Sequence, residues 1–336
     1  MFEALRVVRV IALVKCVNEN KSTTKLMEVY MQKLDFNVIN SWMHRNAREL
    51  DLTIWKCLFL NGSAEKVADA LLPYQNLDGG FGKGLDPDNW NINSVPYACV
   101  YAIDTLDMVK FYDMNHPVYK GIKKYLEQTG IEKWIFTLPS NKDYPHASFF
   151  NYGKEYNKVE SLGIVISFSA FILEYMEDSV IYHSIIEGLH SIINKLYEND
   201  LGDMGASSYI TLIDTMKRLN ISGYDYDELD NRLNIIVNKQ MQKDEKMWES
   251  YGYRPSDFIR SKESRFLNGN EEFVEKECEF LLRTLPENDV WPVSWCWFEN
   301  AKQYPKEEIL SLHLSKARKC IEKVRFLKEF DLVEYV

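Results

Sequence analysis

The chain lacks clustered cysteines, dense runs of lysine and arginine, and any apolar stretch long enough for a membrane span. Each absence removes a class of function. Its six cysteines (Cys16, Cys57, Cys99, Cys278, Cys296 and Cys320) are scattered through 336 residues without short pairing. Neither a disulfide framework nor a zinc knuckle is expected from such spacing; reduced thiols and a cytoplasmic setting are. Lys and Arg number 40 against 50 Asp and Glu, a formal net charge of -10. Nucleic acid and anionic membrane surfaces need concentrated positive charge, so neither is expected as a partner. Residues 7–17 are apolar but broken by Arg9 and Lys15. They are too short to cross a bilayer and lack the pattern of a signal peptide. A glycine-rich phosphate loop, a Gly-x-Ser-x-Gly elbow and a His-Glu-x-x-His pair are also missing. No cofactor and no metal are expected.

What the chain does have is hydrophobic residues, 46% of the total, and aromatics, 13%. At this length roughly three quarters of the unfolded surface can be buried, enough for a large core. Residues 1–24 read as an N-terminal arm, amphipathic or strand-like, followed by a polar linker. Residues 25–336 show no boundary between two cores and read as one domain. From Lys25 onward the apolar spacing is helical nearly everywhere, which predicts an all-α fold.

Two kinds of helix alternate. Val67, Leu71 and Tyr74 share one face of an amphipathic helix with Ser63 as N-cap. Val118, Ile122, Tyr125 and Leu126 form a second such face, with Pro117 suited to a first helical position. Residues 181–196 and 229–237 repeat the pattern. Between them, residues 94–109, 161–175 and 206–216 are apolar on most or all sides, as buried helices are. Links from buried to amphipathic helices are short, at residues 110–115 and 177–179. Links from amphipathic to buried helices are often long, at residues 76–93, 129–157, 243–261 and 285–300. This order predicts two concentric rings of helices. All the long links then lie at one mouth, where the buried helices also begin and where free N–H groups favour an anionic ligand group.

One motif marks the joints. Gln75-Asn76-Leu77-Asp78-Gly79-Gly80-Phe81-Gly82 follows an amphipathic helix. Gly79 and Gly80 permit positive φ, Asp78 can bond the backbone two residues on, Gln75 can satisfy unpaired peptide groups, and Phe81 can pack back on the helices. An aromatic recurs after later amphipathic helices as Trp134, Trp248 and Trp291, in the manner of a degenerate helix-pair repeat. The segment at residues 75–82 resembles the glutamine–aromatic repeat of the terpenoid cyclase and protein prenyltransferase α/α-toroid superfamily. Residues 84–88 and 143–147 also resemble segments of uncharacterised bacterial proteins of this repeat class. The resemblance spans about residues 39–330 and is specific around residues 64–101. It implies an α/α toroid, a barrel of concentric inner and outer helices.

Candidate chemistry sits in the long links. Asp86 and Asp88, two apart and followed by Trp90, Tyr97 and Tyr101, can form an acid pair in which one carboxyl raises the pKa of the other. The superfamily's protonating cyclases carry an Asp-x-Asp-Asp acid motif; here Asn89 stands in its fourth position. The alternative is that both aspartates are turn and cap residues. His146, with Asp143 as a possible orienter and Tyr144 and Tyr152 as donors, is the best-placed general acid or base. It could equally be a satisfied polar group. Trp291, Trp295, Trp297 and Glu299 can line an apolar or sugar-binding pocket or cap the core, with Cys296 an inert buried thiol. The superfamily's zinc-binding Asp, Cys and His set has no counterpart in this sequence.

Three functions remain open. The first is an enzyme acting on an isoprenoid-like apolar substrate, with aromatic walls stabilising cations. The second is a carbohydrate-active enzyme, a glycan lyase or hydrolase, on the same barrel. The third is a non-catalytic binding or scaffold protein. A small-molecule ligand, apolar or glycan, is the expected partner.

Overall fold

In a computed structural model, which describes residues 33–335 apart from Asn199, the chain is mostly helical, with almost no strand. The expected N-terminal arm and linker lie outside the described residues. The first helices are α1 (Phe36–Asn46), α2 (Glu49–Phe59) and α3 (Ala64–Leu71). Then come α4 (Pro96–Met108), α5 (Pro117–Thr129), α6 (Lys154–Tyr175) and α7 (Val180–Asn194). The chain continues through α8 (Gly205–Arg218), α9 (Tyr226–Gln240), the single turn α10 (Pro255–Phe258), α11 (Glu271–Thr284) and α12 (Pro305–Glu329). Two-residue strands β1 (Leu34–Asp35) and β2 (Val333–Glu334) pair in parallel.

Local chemistry sets the helix starts. The Ser63 hydroxyl caps α3 by accepting from the Glu65 N–H, and Asp35 caps α1 through the Asn37 N–H at 2.9 Å. Pro117 opens α5, and the ring of His116 accepts from the Val118 N–H. A proline has no N–H to leave unpaired there.

The packing follows the alternation in the sequence. The more buried helices α4, α6 and α8 lie side by side, α4 on α6 and α6 on α8. The amphipathic helices α3, α5 and α7 form a second row, α3 on α5 and α5 on α7. Across the rows, α3 packs on both α2 and α4, α7 on α6, α9 on α8 and α11 on α10. The last helix, α12, returns to pack on α1 and α2.

The joint motif is seated as its residues suggest. Asp78 accepts from the Gly80 N–H and from the Ser94 hydroxyl at 2.6 Å. Gln75 donates to the carbonyls of Gly79 and Val118, tying the turn to the first turn of α5 rather than to the helix before it. Gly79 has φ +92°, and a Cβ there would lie 2.0 Å from the Gly121 carbonyl. Phe81, Trp134, Trp248 and Trp291 are all buried. Each indole N–H finds an oxygen in or just after the preceding helix: Thr129, Gln242 and Leu281 respectively.

Some boundaries differ from expectation. The helix read at residues 161–175 starts at Lys154 and runs for 22 residues. It is long and apolar enough to cross a bilayer, yet 67% of its most apolar window is buried inside the protein. The stretch at residues 243–261 is not a plain link, since Pro255 starts α10 within it. The buried helices are also not uniformly apolar: α4 carries the accessible Asp104.

Candidate functional site

Three long links meet at Asp88. In the first, the Asp86 carboxylate accepts from the Asp88 N–H at 2.8 Å, closing a tight turn. Trp90 N–H donates to the Pro145 carbonyl and Ala147 N–H to the Asp88 carbonyl, which pairs this link with the second as a short bridge at Asn89 and His146. From the third link, the indoles of Trp295 and Trp297 donate to Asp88 at 2.8 and 2.6 Å. Ser311, on α12, donates to the same carboxylate at 2.5 Å. Ser148 then donates to the Trp297 carbonyl and Asn300 to that of His146, stitching the second link to the third.

The two carboxylates are therefore in different states. Both are buried. Burial pushes Asp88 up, but Ser311, Trp297 and Trp295 pull it back by donating to its charged form. Burial also pushes Asp86 up, then the Asp88 charge does so, against the Asp88 N–H, Arg48 and Tyr97, and its pKa reaches about 7. With three donors fixed on Asp88, the upward push is the larger at Asp86. Asp86 is thus a carboxylic acid able to give up a proton under mild conditions.

Beside it lie residues that the sequence did not single out. Arg48 pairs with the fully buried Asp51 at 2.6 Å and donates to the Gly84 carbonyl. Arg48 Nη2, Asp51 Oδ1 and the Tyr101 hydroxyl are buried without a hydrogen-bond partner. The guanidinium of Arg318 lies 4.9 Å from the centre of the Tyr101 ring and donates to Thr105 at 3.2 Å. Lys319 and Arg318 both hold Glu322, which is kept at about 2 despite burial.

Charged residues of α4 and α12 lie near these groups. Asp104 is open to solvent, yet burial is the main cause that raises its pKa to about 6. Lys319 is likewise one-third accessible and yet desolvated. Tyr101, also on α4, and Tyr251, in the link after α9, both bear electrostatically on Tyr97. One signal for the missed residues existed. Ser311, Ser315, Arg318 and Glu322 recur every three to four positions, a polar stripe on an otherwise packed helix. Arg48 and Asp51 are three apart at the start of α2, a local pair whose spacing does not disclose that it is buried.

The other expected residues divide. Tyr97 packs edge-on against Phe136 and Phe150 and reaches Asp86. Trp90 is half-buried and donates to the Pro87 carbonyl. Trp295 is half-buried, and Lys319 lies 5.7 Å from the centre of its ring. Both ring nitrogens of His146 are engaged. One ring nitrogen meets the Tyr144 carbonyl at 2.7 Å and the other the Asn151 side-chain oxygen at 2.8 Å. It is a structural post of the second link. Asp143, Glu299 and Cys296 are exposed; for Cys296 this corrects the expectation of a buried thiol, since only its flanking indoles turn inward. Tyr152 lines a separate cavity of about 440 Å³ with Lys142, His146, Asn300, Gln303 and Tyr304. Another cavity, of about 510 Å³, lies between α1, residues 287–289 and α12.

Among the described residues no group of three or more His, Cys, Asp or Glu side chains is placed to hold a metal ion. Comparison of the chain with protein-family models, with curated proteins and with solved structures yields no match.

Proposed function

We propose that the helix pairs close into a ring, the α/α toroid that residues 75–82 resemble, and that the cleft at its centre is the active site of a carbohydrate-type enzyme. Asp86 is the proton donor to a hydroxyl-rich substrate, and Asp88 is the fixed charge that keeps Asp86 protonated. The observation that carries this reading is the mix of aromatic and charged side chains around Asp86. Tyr101 and Trp295 stack with the cations of Arg318 and Lys319, while Asp104, Lys319 and Glu322 keep part of their surface accessible. Such a mix suits a ligand that returns many hydrogen bonds.

An isoprenoid substrate, the other reading open from the sequence, is favoured by the same aromatic faces, which can stabilise a cation. It is disfavoured by the ion pairs, because a hydrocarbon would strip water from Arg318, Lys319 and Glu322 and return nothing. A non-catalytic role is disfavoured by Asp86, whose raised pKa fits proton transfer better than turn formation.

The test is turnover on a panel of neutral and uronate-containing oligosaccharides, read by new reducing ends or by the ultraviolet absorbance of an unsaturated product. Activity that Asp86→Asn abolishes is the expected result. No turnover on any glycan, or activity on isoprenoid substrates alone, overturns the carbohydrate reading.

A further inference from the structure

The cavity of about 510 Å³ between α1, residues 287–289 and α12 is lined by none of the residues that hold the acid pair. Its walls follow from helix periodicity. Phe36, Ile39 and Met43 send one side of α1 into the core. Val38, Ser41, Trp42 and Arg45, spaced three and four apart, form a second stripe on the same helix, and this stripe lines the cavity. From α12 come His313 and Lys316, again three apart. Ser311, which donates to Asp88, lies about 140–200° round the helix from both. The cavity therefore opens on the side of α12 away from Asp88.

Contacts tie the walls together. Trp42 and His313 meet with ring centres 5.8 Å apart at 51°, joining α1 to α12. Lys316 pairs with Asp289 at 2.5 Å, joining α12 to the link after α11. The Val290 N–H donates to the other oxygen of Asp289 at 2.8 Å. Asn46 donates to the Trp42 carbonyl at 2.9 Å, which leaves its side-chain oxygen for another donor. Arg45, Glu287 and Asn288 are exposed and make no ion pair or hydrogen bond with a described residue.

This lining selects a class of ligand. The rings of Trp42 and His313 supply apolar surface, and Asn46, Arg45, Glu287 and Asn288 supply donors and acceptors beside it. The cations Arg45 and Lys316 are matched by Glu287 and Asp289, so the lining favours neither sign of charge. A hydrocarbon would leave the polar groups unpaired. An ion would meet repulsion as well as attraction. A sugar ring has apolar C–H faces and a rim of hydroxyls that both donate and accept, and the volume is in the range usual for small-molecule sites.

We infer that this cavity is a second, non-catalytic site for a neutral sugar, whose ring rests on Trp42 and whose hydroxyls bond to Glu287, Asn288 and Arg45. It goes beyond the proposed activity and does not need it, since neither Asp86 nor Asp88 takes part.

The experiment is calorimetric titration and saturation-transfer NMR of the full chain with D-glucose, D-galactose, D-mannose and N-acetyl-D-glucosamine, and with inorganic phosphate as the charged control. Saturable binding of at least one sugar, weakened roughly tenfold or more by Trp42→Ala, is expected. Trp42→Phe keeps a flat face and guards against misfolding; it should weaken binding less. Glu287→Ala, at an exposed position, should also weaken binding, and Asp86→Asn should leave it unchanged. Binding of no sugar, binding of phosphate in place of sugar, or indifference to both Trp42→Ala and Glu287→Ala overturns the inference. Binding that Asp86→Asn abolishes also overturns it, because the sugar would then sit at the acid pair. Sugar binding that depends on Trp42, without turnover of any glycan, would remove the proposed activity and leave this site standing. Turnover without Trp42-dependent binding would do the reverse.

Discussion

Trp297 and Asp88 are 209 positions apart, and the indole N–H of one donates to the carboxylate of the other at 2.6 Å with both side chains buried. Removing one of three donors from a buried carboxylate leaves part of its charge uncompensated. Trp297→Phe should therefore cost about 2–4 kcal/mol in unfolding free energy, a lost charge-assisted hydrogen bond plus altered packing. Chemical denaturation measures this. A cost no larger than that of an exposed tryptophan substitution would show that the bond carries no weight.

Asp86 makes stability depend on pH in the direction opposite to an ordinary ion pair. Its folded pKa is about 7 and its ordinary value 3.8. The folded state therefore binds more protons than the unfolded state between these values, and stability falls as pH rises through that window. Asp86→Asn keeps the oxygen that accepts from the Asp88 N–H and removes the penalty. It should stabilise the protein at pH 8 by on the order of 2–4 kcal/mol and have little effect at pH 4. Equal melting shifts at both pH values would contradict the assignment.

Activity should track the same group. A general acid with a pKa near 7 is half lost at that pH and falls tenfold per unit above it. His146→Gln should leave this profile in place while lowering stability by about 1–2 kcal/mol, because the Tyr144 carbonyl and Asn151 lose a shared partner. Loss of the limb near pH 7 in His146→Gln, with activity surviving in Asp86→Asn, would return the acid role to the histidine.

The joint motif should behave as structure alone. Asp78→Ala removes an acceptor for the Gly80 N–H and the Ser94 hydroxyl and should cost about 1–2 kcal/mol with turnover preserved in the folded fraction. Gly79→Ala should cost more, since its Cβ would meet the Gly121 carbonyl at 2.0 Å and its φ is positive. Thermal melts set beside specific activity decide both.

The sequence made the helices legible because their apolar spacing is strong and their starts are signed by Ser63 and Pro117. It also made the meeting of Asp86, Asp88 and Trp295 legible, through the lengths of the links that carry them. It did not disclose which partner each side chain would choose. His146 looked catalytic because a loop histidine between tyrosines reads the same whether its ring is free or spanned by two oxygens. Trp297 and Cys296 are neighbours with opposite fates, and only the position of Asp88 decides which one turns inward. Arg48, Asp51 and the cations of α12 were missed because charged residues on a helix read as a solvated face until another helix encloses them.

The return of α12 onto α1 and α2 has a consequence for synthesis. Asp88 leaves the ribosome some two hundred residues before the indoles and the serine that will hold its charge. Throughout that interval the carboxylate has water as its only partner, and the first half of the chain has every reason to keep it at the surface. A nascent chain halted before residue 295 would carry Asp86 and Asp88 with none of the three side-chain donors that hold the Asp88 carboxylate.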